Sequence, residues 1–134
     1  MLDTATAEHE AAHVVVGLAL GLKLRKATIE PTPIGADQIA LGYAWFEHGK
    51  NYLAHALMLC AGVAWERRPG GLGDSPEDYA LAKHALRYKS DVETGVRLAR
   101  ELLDSRRRVH AKIASELCDR DLTAADVEAL VLGC

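Results

Sequence analysis

Apolar positions along the chain recur mostly at three- and four-residue intervals, the spacing of helices that bury one face. The clearest case is residues 91–117, where Val92, Val96, Ala99 and Leu103 follow this period. Helices are predicted at 4–20, 51–67, 75–88 and 91–117, with a short helix after 123. Thr123 and Asp126 have the spacing of a capping box for that last helix.

A small β element is predicted between the first two helices. Residues 23–30 and 39–46 are rich in strand-forming side chains, and Pro31, Pro33 and Gly35 predict a turn-rich loop between them. The run Val14 to Val16 favours a strand locally, but the alanines and leucines around it favour helix. The predicted fold class is therefore mainly α with a small peripheral β element, an α+β domain.

Length and composition are those of a globular protein. The chain has 134 residues, of which 49% are hydrophobic and 26% charged, and its net charge is −3. This length suits a single domain over residues 1–134 that buries its own core. A slightly acidic chain offers no electrostatic reason to expect nucleic acid or an anionic membrane as a partner.

Cysteine usage and the N-terminal residues bear on location. Three cysteines are an odd number, which disfavours a disulfide framework and favours a reducing compartment. Asp3, Glu8 and Glu10 lie where a signal peptide would be basic, and the apolar stretch 11–22 is too short to span a bilayer. We therefore expect a cytoplasmic chain without a membrane segment.

The sequence His9-Glu10-Ala11-Ala12-His13 is an HExxH motif within the first predicted helix. Residues four apart lie on one face of a helix, so His9 and His13 can bind one metal ion. Glu10 is rotated away from the two imidazoles by about 100°, the angle between successive residues, which suits it to take a proton from an attacking water. The motif predicts a zinc site with Glu10 as general base.

A catalytic zinc site needs a third protein ligand, which the spacing alone does not identify. Carboxylates placed early in a helix also have the simpler roles of capping it or interacting with its dipole. The candidates on residue type are Asp74, Glu77, Asp78 and His84, with Glu66 and His55 further away. Glu66 is expected at a solvated helix end, with a role in orienting a ligand histidine as the alternative.

The ordered motifs resemble the peptidase domain of the FtsH-type ATP-dependent zinc metalloproteases over nearly the whole chain. His9 to His13 is similar to the family's HEAGH, and Leu41-Gly42-Tyr43 to its Leu-Gly-Tyr strand segment. The segment 61–66 is similar to its small-residue helix ending in glutamate, and 75–82 to its Ser-x-x-Asp-x-x-x-Ala pattern. The resemblance implies a zincin-like fold with Asp78 as third zinc ligand.

Two departures limit what the resemblance implies. Ala12 replaces the family's glycine, and the sequence has neither a Walker-type GxxxxGK[ST] loop nor a transmembrane helix. ATP dependence is therefore not expected, and the substrates expected are short or unstructured polypeptides. A separate ATPase or other partner protein and a homo-oligomer stay open, and the alternative function is a non-catalytic zinc-binding adaptor or regulator.

Overall fold

A computed structural model describes residues 2–33, 36–37, 39–40, 42–47, 49, 51–68 and 76–134. In these ranges the chain is mainly helical, with six helices and a small antiparallel sheet. The helices are α1 (Leu2–Ala19), α2 (Tyr52–Glu66), α3 (Pro76–Leu86), α4 (Lys89–Asp104), α5 (Arg107–Leu117) and α6 (Ala124–Leu132). The strands are β1 (Leu24–Thr28), β2 (Thr32–Pro33), β3 (Ile39–Ala40), β4 (Tyr43–Phe46) and β5 (Leu122–Thr123).

Helix α1 passes through the centre of the core. Its small and β-branched residues, including Ala7, Ala11 and Val14, are fully buried, so the local preference of the valines for a strand is overridden by packing. The helix ends at Gly21, whose φ of 81° is the left-handed conformation. Leu22 N–H donates to the Gly17 carbonyl at 2.9 Å and Gly21 N–H to that of Leu18 at 3.0 Å, which completes a Schellman C-cap.

Helix α2 packs against α1 on one side and against α3 and α4 on others. Asn51 caps it, because its side chain accepts a hydrogen bond from Ala54 N–H at 3.0 Å. Its buried face consists mostly of alanine, glycine and cysteine, which let the neighbouring helices approach closely. This close approach brings α1, α2 and α3 together around one point.

The sheet has the strand order β4-β1-β5, with both pairings antiparallel. The predicted strand over 39–46 is wrong in part, because the chain forms β3 and β4 on either side of Gly42, and β3 pairs with β2 instead of β1. A Cβ atom on Gly42 would lie 2.8 Å from Cγ2 of Thr6 and 3.0 Å from Cγ of Glu10. The chain thus lies directly against α1 between the two strands.

The predicted single helix over 91–117 is also wrong, since α4 and α5 are separated at Ser105 and Arg106. Arg106 has φ −128° and ψ 35°, outside the helical region. Ser105 Oγ donates to the Leu102 carbonyl at 2.9 Å, and the Arg106 guanidinium donates to the same oxygen at 3.4 Å. The buried positions give no sign of the break, because Leu103 and His110 are seven residues apart, about two helical turns, and stay in phase across it.

One hydrophobic core contains residues from α1, β1, α2, α3, α4, α5, β5 and α6. It runs in sequence from Ala7 to Val127. Among the helices in the described ranges, none is long and apolar enough to cross a membrane. The elements that matter for chemistry are α1, α2 and α3, which meet at the edge of this core.

Candidate metal centre

Two imidazole nitrogens and one carboxylate oxygen converge where α1, α2 and α3 meet. His9 and His13 lie one turn apart on α1, and Asp78 lies in the first turn of α3. Asp78 Oδ2 is 2.9 Å from His9 Nε2 and 3.1 Å from His13 Nε2, and the two Nε2 atoms are 3.2 Å apart. The three residues predicted to bind the metal are thus brought together.

The other nitrogen of each ring has its own acceptor. His13 Nδ1 donates to the Met58 carbonyl at 2.9 Å, and His9 Nδ1 lies 3.1 Å from Glu66 Oε1. A hydrogen bond from Nδ1 fixes the ring orientation and favours the tautomer with its lone pair on Nε2. Both histidines therefore present Nε2 to the same point.

The expectation for Glu66 is wrong. It is only 6% exposed and forms the carboxylate partner of His9 instead of ending in solvent. The alternative given by the sequence, a carboxylate that orients a ligand histidine, is the one observed. Such a partner increases the basicity of the imidazole and so strengthens its bond to a metal.

Gly62 of α2 forms the wall of the site, a role that sequence reasoning missed. A Cβ atom at this position would collide with Asp78 Oδ2 and lie 2.8 Å from His13 Nε2. The backbone of α2 therefore faces the three donor atoms directly. The run of small residues at 61–64 was the only sequence signal for this close approach.

The charges of the cluster are strongly coupled. Burial disfavours the charged ring of His13, but the nearby Asp78 carboxylate dominates and raises the pKa of His13 to about 9. Burial also disfavours ionised Asp78, yet His13 and His9 hold the pKa of its carboxyl well below the usual range. The negative charge of Asp78, which favours protonated imidazoles, would also attract a metal cation.

Glu10 lies beside these groups, on the α1 side of the Gly42 segment. It is 7% exposed, and burial raises the pKa of its carboxyl against the opposing charges of His13 and His9. Cγ of Glu10 packs close to Gly42, as described above. The side chain of Glu10 thus extends from α1 and packs against Gly42.

The other sequence candidates for a third ligand lie elsewhere or outside the described residues. Glu77 and His84 are exposed on α3, and Asp74 lies outside the described ranges. His55 is in the first turn of α2, and its Nε2 would lie 4.0 Å from a Cβ atom on Gly49. Among the candidates that the structure describes, Asp78 alone has a carboxylate oxygen at the two Nε2 atoms.

The donor set fits a divalent metal ion. The ligand atoms of His9, His13 and Asp78 all lie within 4.8 Å of one another, so the cluster can hold a single ion. Two imidazoles and one carboxylate match borderline cations such as zinc, and three protein ligands leave one coordination position open. The part of the chain that the structure describes contains no other such group of histidine, cysteine and acidic residues.

The chain matches no protein-family model and no curated protein.

Proposed function

We propose that the chain is a zinc-dependent endopeptidase that hydrolyses short or unstructured polypeptides. One observation carries the proposal: two histidine Nε2 atoms and a carboxylate oxygen converge within 3.2 Å of each other, with a buried glutamate beside them. The order of motifs along the chain, which resembles the FtsH-type peptidase domain, supports the same function. His9, His13 and Asp78 would hold the ion.

Zinc suits this donor set, and in peptidases it polarises the substrate carbonyl and lowers the pKa of a water at the open position. Glu66 and the Met58 carbonyl would keep both rings oriented for metal binding through the Nδ1 hydrogen bonds. Gly62 would keep α2 close without obstructing the donors. The roles of these residues thus follow from contacts already described.

Glu10 is the proposed general base. The raised pKa of its carboxyl, caused mainly by burial, brings the group closer to neutral pH, where a base can take a proton and return it. Glu10 would accept a proton from the attacking water and then donate it to the leaving amine. Because the side chain of Glu10 is buried and packed against Gly42, little reorganisation would be needed for these transfers.

The free edge of β4 is the proposed binding surface for the substrate. In the order β4-β1-β5, β4 is at the edge and, among the described residues, pairs with β1 alone. It begins at Tyr43, directly after the glycine that packs on Glu10. An extended peptide added to this edge by main-chain hydrogen bonds would run past the general base.

The second candidate function is a zinc-binding adaptor or regulator that performs no hydrolysis. The burial of Glu10, which is 7% exposed, favours it, since a closed site would bind metal without admitting a peptide. Metal bound without hydrolysis of any peptide would identify this function.

The first test is zinc content by elemental analysis together with hydrolysis of an unstructured peptide library. The variants are Asp78→Asn and Glu10→Gln, and the matched control is Glu77→Gln, an exposed neighbour of Asp78 on the same helical turn. We expect one zinc per chain in the wild type and in Glu77→Gln, and loss of both metal and activity in Asp78→Asn. Glu10→Gln should keep zinc and lose activity by at least about a hundredfold, the contribution of a general base.

Absence of zinc binding by the wild-type protein would contradict both proposed functions, the peptidase and the zinc-binding adaptor. Equal zinc binding by Asp78→Asn and the wild type would show that Asp78 is not a metal ligand. Activity retained in Glu10→Gln would exclude Glu10 as the base.

A further inference from the structure

A second concave site lies on the side of α2 that faces α4 and α5, away from the histidine cluster. It is a cavity of about 530 Å³ whose apolar lining includes Trp65, Leu103 and Ala111. This volume is within the range of pockets that hold small organic ligands. None of His9, His13, Asp78 or Glu10 lines it.

Three arginines and one aspartate provide the charges of this cavity. Arg68 extends from the end of α2, Arg100 from α4 and Arg107 from the first position of α5, where the helix dipole adds positive potential. The aspartate, Asp104, lies 3.7 Å from Arg107 and both side chains are more than half exposed, so their attraction is weak. Because Arg68 is also paired with Glu8, the excess of positive charge lies at Arg100 and Arg107.

Arg68 and His110 fix the inner wall before any ligand binds. The guanidinium of Arg68 lies 3.7 Å above the Trp65 ring and pairs with Glu8 at 2.9 Å. The buried His110 ring packs 4.0 Å from the Trp65 ring, and His110 Nε2 donates to the Glu8 carbonyl at 2.8 Å. A wall held in this way costs little conformational entropy when a ligand binds.

The charge is unevenly distributed. An adjacent cavity shares Trp65 and His110 and extends to Glu8 and Asp119, so its far end carries carboxylates. Arg100 and Arg107 line the first cavity and not the second. A ligand with one anionic group would place it between Arg100 and Arg107 and direct its apolar part toward Trp65.

We propose that this cavity, which we call the arginine pocket (Trp65, Arg68, Arg100, Leu103, Arg107 and Ala111), binds a small organic anion with a hydrophobic group next to a carboxylate or phosphate. The planar guanidinium forms paired hydrogen bonds with either anion. The apolar lining supplies the remaining affinity through burial of the hydrophobic group. The site is independent of metal binding and of the proposed peptidase activity.

The test is titration of the metal-stripped full chain, followed by two-dimensional NMR, with 3-phenylpropionate, phenyl phosphate and the uncharged 3-phenylpropan-1-ol. Stripping the metal prevents the anions from binding through zinc. The variant is Arg100→Gln/Arg107→Gln, in which both positions are exposed, and the control is Arg97→Gln, an exposed arginine of α4 outside the pocket.

We expect saturable shifts at Ala64, Leu103 and Ala111 with at least one of the two anions, and the tighter anion identifies the acidic group. The double variant should weaken binding by at least about tenfold, which corresponds to about 1.4 kcal/mol, while Arg97→Gln changes it less than about twofold. Absence of saturation with both anions would overturn the proposal. So would equal binding of the alcohol, or binding that is unchanged in the double variant.

Discussion

At the scale of single residues, the candidate metal centre depends on what holds the second nitrogen of each histidine. Met58 contributes only its backbone carbonyl to the site, so its side chain plays no part in the hydrogen bond to His13. Glu66 contributes a carboxylate, and no uncharged side chain would supply its negative charge to His9. The two imidazoles therefore differ in basicity although they belong to one motif.

Gly62→Ala tests the wall of the site. Alanine is the better helix former by about 1 kcal/mol, so helix α2 itself should tolerate the change. The added methyl group would meet Asp78 Oδ2 and lie 2.8 Å from both His13 Nε2 and His9 Cε1. We expect zinc affinity, measured by competition with a chromophoric chelator, to fall at least about tenfold.

The control for Gly62→Ala is Gly49→Ala, where an added Cβ has its nearest neighbour at 4.0 Å. It should bind zinc as the wild type does. Wild-type affinity in Gly62→Ala would show that α2 does not press on the donor atoms.

The stability of the metal-stripped chain should depend on pH through the pair of His13 and Asp78. Burial lowers the pKa of His13, but Asp78 outweighs it and raises the pKa to about 9, above the ordinary 6.5. Because the pKa of His13 is higher in the folded chain than in the unfolded one, its protonation stabilises the fold. This contribution is complete below pH 6.5 and is lost as the pH rises through about 9. We expect the urea midpoint of the metal-stripped protein to fall over this interval.

Asp78→Asn is the matched comparison, because it removes the charge that holds the proton on His13. Its urea midpoint should change less over the same interval. Equal pH dependence in the two proteins would mean that the ion pair does not contribute to folding.

At the scale of elements, the sequence predicted those whose ends carry a chemical signal. The predicted capping box of Thr123 and Asp126 begins α6, and the predicted ranges 4–20 and 51–67 agree with α1 and α2 to within two residues at each end. The boundaries that were predicted wrongly are those that depend on tertiary contacts. Gly42 divides a strand because α1 lies beneath it, and Ser105 breaks a helix without interrupting the apolar period.

The same distinction applies to the candidate site. His9, Glu10 and His13 could be recognised from local spacing, since one helix carries all three. Asp78 required a family resemblance, because nothing local relates positions 13 and 78. The role of Gly62 was not predicted, and that of Glu66 was given only as the alternative to a solvated helix end, because both depend on how closely α2 approaches α1 and α3.

Thr123→Ala tests the last helix. Thr123 Oγ1 accepts from Asp126 N–H at 3.3 Å, and Asp126 Oδ2 accepts from Thr123 N–H at 2.9 Å. Loss of the threonine side chain removes one bond of this capping box and should lower the free energy of unfolding by about 1 kcal/mol, measured with urea. Thr94→Ala, in the exposed middle of α4, is the control and should change it by less than about 0.5 kcal/mol.

A decrease no larger than that of Thr94→Ala would contradict a stabilising role for the capping box. A larger decrease would indicate that α6 also holds β5 against β1, since Lys26 pairs with Thr123 in the sheet.

At the scale of the whole molecule, the residues of the candidate metal centre lie at the edge of one hydrophobic core that α1, α2 and α3 share. Helices α1 and α2 contribute to the core and to the site at once. Among the described residues β4 is an edge strand of the sheet, and the proposed peptidase would receive its substrate at that edge. Such an edge accepts an extended chain and cannot itself unfold a compact one.

Activity should therefore depend on whether the substrate is folded. We expect the zinc-loaded chain to cleave casein and a reduced, alkylated globular protein, and to cleave the same globular protein with its disulfides intact at least about tenfold more slowly. Gel electrophoresis of timed digests measures this. Comparable cleavage of the intact and reduced forms would contradict binding at the β4 edge.

The contact between His13 and Asp78 joins positions 65 residues apart in sequence across 3.1 Å. An ion held by both would be a cross-link between the first and third helices, present only while the chain is folded. Free zinc at a hundred times its dissociation constant would add about 2.7 kcal/mol to the free energy of unfolding. The supply of metal would then govern how long each molecule survives against heat and proteolysis, as well as whether it can act.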